Sequence, residues 1–185
     1  MSHEICKMRR GLLKAGMALA FTGLSARSAF AAFEPRATVG RALSFHNLHT
    51  GEKLSAEYWS EGAYLPDALA DINHILRDHR NDQVSPIETP LLDLLHGLRS
   101  VLNTTQPFQI ISGYRSPATN SLLAASSDGV AKGSLHTQAK AIDLNVEGLQ
   151  LSTLHRAAVA LRGGGVGYYP KSNFVHVDIG RVRVW

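Results

Sequence analysis

The stretch Ser134-Leu135-His136-Thr137-Gln138-Ala139-Lys140-Ala141-Ile142-Asp143 sets an imidazole seven residues before a carboxylate, with small and apolar residues between them. A second histidine follows in Phe174-Val175-His176-Val177-Asp178, which alternates as a half-buried strand does. Two neutral imidazoles and one carboxylate form a common catalytic zinc donor set, with the fourth tetrahedral position open to water. Such a centre carries a formal charge of about +1, so it can hold hydroxide near neutral pH and polarise a carbonyl. A His–Asp pair at this spacing is weakly selective alone. The candidate ligand set is His136, Asp143 and His176.

These side chains need rigid elements to hold them. Ala141 to Leu144 reads as a strand carrying Asp143, and the glycine- and serine-rich residues 126–134 read as a loop leading to His136. On the strand around His176, Asp178 lies two residues on and faces the same way. It is either the general base or a carboxylate that orients a ligand. Phe108 to Ser112 reads as a strand ending at Gly113, which delivers Tyr114, Arg115 and Ser116 ahead of a short helix near Pro117. The arginine is either a surface ion-pair residue or a donor fork for a substrate carboxylate or oxyanion.

Earlier in the chain, Leu43, Phe45 and Asn47 alternate with Ser44, His46 and Leu48, and Thr50-Gly51-Glu52 reads as a hairpin turn. Pro66 opens a helix with Leu69, Ile72, Ile75, Leu76 and His79 on one stripe; Thr89 caps a second through Leu91, Leu94, Leu95, Leu98 and Leu102. Ser152 caps another through Leu154, Ala158 and Leu161, ended by Gly163-Gly164-Gly165. His46, His49, His74 and His155 are read as structural or surface residues. Tyr168 and Tyr169 are read either as core aromatics or as groove lining. Val166–Tyr169, Phe174–Ile179 and Val182–Trp185 read as the last strands of an antiparallel sheet. The glycine run follows a helix, with no Gly-Lys-Ser/Thr after it, so it is not a phosphate loop; no His-Glu-x-x-His helix occurs either.

The chain has 19 basic and 15 acidic residues, but residues 1–31 hold Lys7, Arg9, Arg10, Lys14 and Arg27 against Glu4. Without them 14 of each remain, which argues against nucleic-acid binding through a broad positive surface. Residues 1–31 read as a cleaved export signal: Arg9-Arg10 resembles the twin-arginine motif, the Ala/Gly/Leu stretch is too short to span a bilayer, and Ala29-Phe30-Ala31 is a small-x-small cleavage site. The expectation is passage through the Tat translocon to the periplasm, with no membrane anchor afterwards. The one cysteine, Cys6, lies in this leader, so a metal in residues 32–185 must be held by nitrogen and oxygen.

Ser-x-His-x6-Asp followed by an apolar-His-apolar-Asp strand resembles the zinc D-Ala-D-Ala metallopeptidases of the M15 type, grouped with lysostaphin and the hedgehog domain. Asn47–Glu52, Ile72–Arg80, Ser112–Ser116 and Gly165–Pro170 are similar to the YcbK-type branch of murein endopeptidases. Ala139 stands where the broader family usually has glycine, and Asn173 where several relatives carry an acidic base. The resemblance implies one zinc ion per chain on His136, Asp143 and His176, with Arg115 contacting substrate or the developing charge. It also implies hydrolysis of peptidoglycan stem-peptide cross-links, of the LD diaminopimelate type, with DD cross-links as a further option. A D,D-carboxypeptidase and a non-catalytic zinc module remain as alternatives. The expected fold is one α+β domain over residues 32–185, helices on a mainly antiparallel sheet, with zinc on one sheet face.

Overall fold

Alternation decides which side of the sheet is core. The computed structural model describes residues 40–126, 131 and 133–185; the expected leader lies outside them. Strands β1 (Arg41–Asn47), β2 (Lys53–Ser60), β3 (Ala63–Tyr64) and β4 (Phe108–Ser112) precede β5 (Ala141–Val146), β6 (Gly165–Tyr169), β7 (Phe174–Asp178) and β8 (Arg183–Val184). They form one eight-stranded sheet in the order β3-β2-β1-β4-β5-β7-β6-β8. Leu43 and Phe45 on β1, Phe108 and Ile110 on β4, Ile142 and Leu144 on β5, and Val175 and Val177 on β7 all point into one buried cluster. Their alternate neighbours face the other way.

Among the described residues the α-helices are α1 (Pro66–Ile75), α2 (Thr89–Leu102), α3 (Pro117–Ser126) and α4 (Leu151–Leu161). Helix α1 packs on β2, α2 on β1 and α4, and α4 on β5, β6 and β7. Leu91, Leu92, Leu95 and Leu98 of α2 are fully buried, each contributing about 1.5–3 kcal/mol of burial. The α+β expectation holds, and no helix among the described residues is long and apolar enough to cross a membrane.

Several local expectations are corrected. The sheet is mainly antiparallel as expected, but the last strand is not: β8 runs parallel to β6, and β1 likewise runs parallel to β4. Helix α1 stops at Ile75, so His79 lies beyond it, in the segment closed by the Asp78–Gln83 bridge. Thr89 and Ser152 are not caps: the caps are Glu88 and Gln150, neither making a side-chain capping bond. Pro90 and the buried leucines start α2 without one, because tertiary packing outweighs capping.

Asp93 of α2 ties that helix to the first three strands. It accepts hydrogen bonds from Arg41 Nη1 at 2.7 Å, Tyr58 Oη at 2.9 Å and Tyr64 Oη at 2.7 Å. Burial pushes the Asp93 carboxyl up, but these bonds outweigh it and leave it below the usual carboxylate range. Its contribution is therefore present above the unfolded value, about pH 4, and is lost as the pH falls through the lower folded value. Asp93→Ala strands the fully buried Tyr58 hydroxyl. It should lower stability by about 2–3 kcal/mol, read as a lower urea midpoint at unchanged m-value.

Candidate metal centre

Sheet register brings the functional side chains into rows on the face turned away from the core. Ser112 pairs with Asp143, Asp143 with His176, and His176 with Gly167. Directly paired antiparallel residues project on the same side, so Asp143 and His176 stand side by side on adjacent strands. His136 reaches them from a 3-10 turn, Leu135–Gln138, that ends at Ala139. Ala139 has φ 54°, in the left-handed region. Such a conformation costs an L-residue about 1–2 kcal/mol, which is the physical reason glycine suits this position. Lys140 N donates to Leu135 O at 3.0 Å and Ile179 N to Lys140 O at 3.1 Å, closing the turn against the end of β7.

Three donor atoms converge. Asp143 Oδ1 lies 2.8 Å from His176 Nδ1 and 3.3 Å from His136 Nε2, and the two nitrogens are 3.2 Å apart. Ligands about 2.0–2.1 Å from a tetrahedral zinc ion stand about 3.3 Å from one another, so the trio is spaced as the base of such a tetrahedron. The far sides of the rings fix which nitrogens carry hydrogen. His136 Nδ1 lies 2.8 Å from the carbonyl oxygen of Gly113, which can only accept. His176 Nε2 lies 3.0 Å from Asp178 Oδ2. With those nitrogens protonated, the neutral rings turn lone pairs toward each other and toward the Asp143 carboxylate. Three acceptors facing one point require a cation or an extra proton. Burial opposes charge on His176, but its bonds with Asp143 and Asp178 outweigh that and raise its pKa. Burial also pushes the Asp143 carboxyl up, yet His136 and His176 prevail and keep it ionised. Among the described residues these three are the one group of His, Cys, Asp and Glu with converging donor atoms.

Asp178 is fully buried. Its Oδ1 accepts from Gly165 N, Gly180 N and Arg183 Nη1 at 3.0, 2.8 and 3.1 Å, and its Oδ2 from Arg183 Nη2 at 2.7 Å besides His176. Arg115 opens onto a cleft of about 230 Å³, whose wall also includes Ser134, Tyr169, Phe174, Arg183 and Trp185. Its Nη2 lies 3.7 Å from Asp143 Oδ2 and 3.3 Å from Ser112 Oγ, and its buried Nε has no hydrogen-bond partner. Burial lowers its pKa, with Asp143 pulling the other way; an arginine remains charged regardless. The segment carrying Arg115 is pinned by buried Asp78, which accepts from Ser116 N at 2.9 Å, and by Tyr114 N donating to Leu76 O at 2.7 Å.

The remaining histidines among the described residues stay outside the cleft. His49 Nε2 is 3.0 Å from Ile111 O, and its ring stacks on His79 at 3.8 Å. Burial and the neighbouring His49 and Arg80 push His79 down to about 4, so it is neutral at physiological pH. His74 sits 3.8 Å from Glu52 at the surface, and His155 lies against Tyr168 on the helix side. Tyr169, not Tyr168, lines the cleft, stacked on Phe174. Asn173 is exposed with φ 54°, which asparagine tolerates well. Sequence reasoning missed Asp78, Arg183 and Trp185. The period-two spacing Arg181-Val182-Arg183-Val184-Trp185 would have put the last two on one face, but not shown which face.

A family profile described as peptidoglycan L,D-endopeptidase MepK matches residues 35–185. The peptidoglycan L,D-endopeptidase MepK of Escherichia coli strain K12 is 48% identical over 145 residues, covering 78% of this chain and 80% of that protein. The probable peptidoglycan L,D-endopeptidase MepK of Haemophilus influenzae is 40% identical over 146 residues, 78% of each. No solved structure gives a significant match.

The geometry predicts one divalent ion per chain, with zinc as the test metal. His136→Ala, Asp143→Ala and His176→Ala should each lose it in metal analysis after desalting. His49→Ala and His74→Ala should keep it. Full occupancy in the His176→Ala protein would remove His176 from the ligand set.

Proposed function

The chain belongs to the peptidoglycan L,D-endopeptidase MepK family and is a peptidase; on that premise we propose that it is a zinc-dependent murein endopeptidase of the periplasm, cutting LD-type diaminopimelate cross-links between stem peptides. The observation that carries the metal-dependent part of this reading is the convergence of His136 Nε2, Asp143 Oδ1 and His176 Nδ1 at 2.8–3.3 Å on the floor of an open cleft. Zinc bound there supplies Lewis acidity toward the scissile carbonyl and a hydroxide near neutral pH.

The chain's own residues do the rest. Gly113 O and Asp178 hold the two imidazoles in the tautomers that present lone pairs to the cleft. Arg115 sets a charged fork beside Asp143, suited to a substrate carboxylate or the oxyanion that develops during attack. Its loosely bonded nitrogens leave donors to spare for a ligand. For Asp178 the orienting role is favoured over that of general base, since five hydrogen bonds saturate a carboxylate with no exposed surface. Asp143 is the only Asp or Glu among the described residues that line the cleft. Proton acceptance by an Asp or Glu side chain therefore has no free candidate on that wall.

Digestion of purified cross-linked muropeptides tests the reading. Residues 32–185 should split LD-cross-linked dimers into monomers, a chelator should stop this, and zinc should restore it. Release of D-alanine from intact dimers would point instead to a carboxypeptidase, and turnover unaffected by metal removal would overturn the zinc dependence. Arg115→Lys keeps the charge but loses the planar fork, and should lower kcat/KM by about 10- to 100-fold with zinc content unchanged. Export is tested separately. Changing both Arg9 and Arg10 to lysine should leave the precursor in the cytoplasm; normal periplasmic accumulation would contradict twin-arginine export.

A further inference from the structure

The last three residues of the chain lie across β6 and reach the metal centre. Strand β8 runs parallel to β6, pairing Gly165 with Arg183 and Val166 with Val184, and Trp185 N donates to Val166 O at 3.2 Å. Alternation turns Arg183 and Trp185 to the face that carries His176 and Asp178. They fit there because β6 has no side chain beneath them. A Cβ at Gly167 would stand 2.7 Å from Trp185 Cε2, and one at Gly165 would collide with Arg183 Nη1 and Asp178 Oδ2. The Gly-Val-Gly pattern of β6 is therefore the groove in which the C-terminus is seated.

Arg183 grips Asp178 with both arms, Nη1 to Oδ1 and Nη2 to Oδ2. The oxygen held by Nη2 is the one that faces His176 Nε2. Gly165 N and Gly180 N hold the other oxygen, so the carboxylate plane cannot turn. Trp185 backs this arrangement. Its ring centroid is 4.7 Å from Arg183 Cζ and 5.3 Å from the His176 ring, and its Nε1 donates to Tyr169 Oη at 2.8 Å. The order of dependence runs from Trp185 to Arg183, then Asp178, then the His176 ring, whose Nδ1 points to His136 and Asp143.

We propose that Arg183 is a positioning residue for His176, acting through Asp178, so that the C-terminal Arg-Val-Trp segment is part of the metal centre. This rests on the zinc-centre reading above. A guanidinium suits the role because its rigid fork fixes both the position and the plane of a carboxylate, which a lysine ammonium cannot do. Without it Asp178 would be a buried carboxylate lacking its cationic partner, free to turn and let the ring of His176 rotate.

The competing reading is purely structural: Arg183 only neutralises Asp178 for folding. The two readings differ in zinc affinity, measured by competition with a chromogenic chelator and paired with thermal melting of the metal-free protein. Arg183→Gln should weaken zinc binding by about 10- to 100-fold, as loss of a partner behind a ligand does, and Arg183→Lys should recover only part of it. The double variant Arg183→Gln, Asp178→Asn removes both buried charges. It should melt close to wild type and bind zinc about as weakly as Asp178→Asn alone, because Arg183 acts through Asp178. Wild-type zinc affinity in a folded Arg183→Gln protein would overturn the positioning role and leave the metal-centre reading standing. Zinc retained equally by wild type and His176→Ala would overturn that reading, and the proposal with it.

Discussion

Three acceptor atoms, two imidazole nitrogens and a carboxylate oxygen, are held within 3.3 Å of one another at the floor of the cleft. Left alone they repel, and flexible side chains would swing apart. The surrounding structure stops them. Asp143 and His176 are directly opposed on β5 and β7, so their separation is set by strand spacing rather than by choice of rotamer. His136 comes from a loop, yet it is almost fully buried and held at its far nitrogen by a backbone carbonyl. The site is preorganised for a cation, and folding must overcome that repulsion through the core beneath.

That core explains the fold's asymmetry. Helices cover one side of the sheet and bury Ile142, Leu144, Val175 and Val177, while the alternate residues of the same strands build the site. A one-residue slip of β7 against β5 would exchange His176 for a valine and destroy both the core and the donor set at once. Stability and function therefore share one register. Other parts of the chain are recruited as braces: Asp78 after α1 for the Arg115 segment, and the C-terminal segment for Asp178.

Much of this was legible in the sequence. The alternation around His176, the strand carrying Asp143 and the family-like motif around His136 pointed to the same three residues that the fold gathers. What could not be read lay in contacts distant along the chain. The parallel pairing of β8 with β6 depends on where the C-terminus crosses the sheet, and no local pattern encodes that. The glycines at 165 and 167 looked like a helix stop and an ordinary strand, although their packing role is to leave room for Arg183 and Trp185. His79 looked helical because its spacing fits the α1 stripe, but the chain leaves the helix at Leu76 to form the segment that pins Arg115. Asn173, where the family resemblance suggested an acidic residue in several relatives, occupies a left-handed position after a short 3-10 turn.

X-ray absorption at the zinc edge shows whether His136, Asp143 and His176 form one mixed nitrogen–oxygen zinc site. Residues 32–185 contain no cysteine, so loading them with one equivalent of zinc gives an unambiguous spectrum. The prediction is a four-coordinate shell of nitrogen and oxygen at about 2.0–2.1 Å, with the outer scattering of two imidazoles. A six-oxygen shell without imidazole scattering, or an unchanged spectrum in the Asp143→Ala protein, would contradict it.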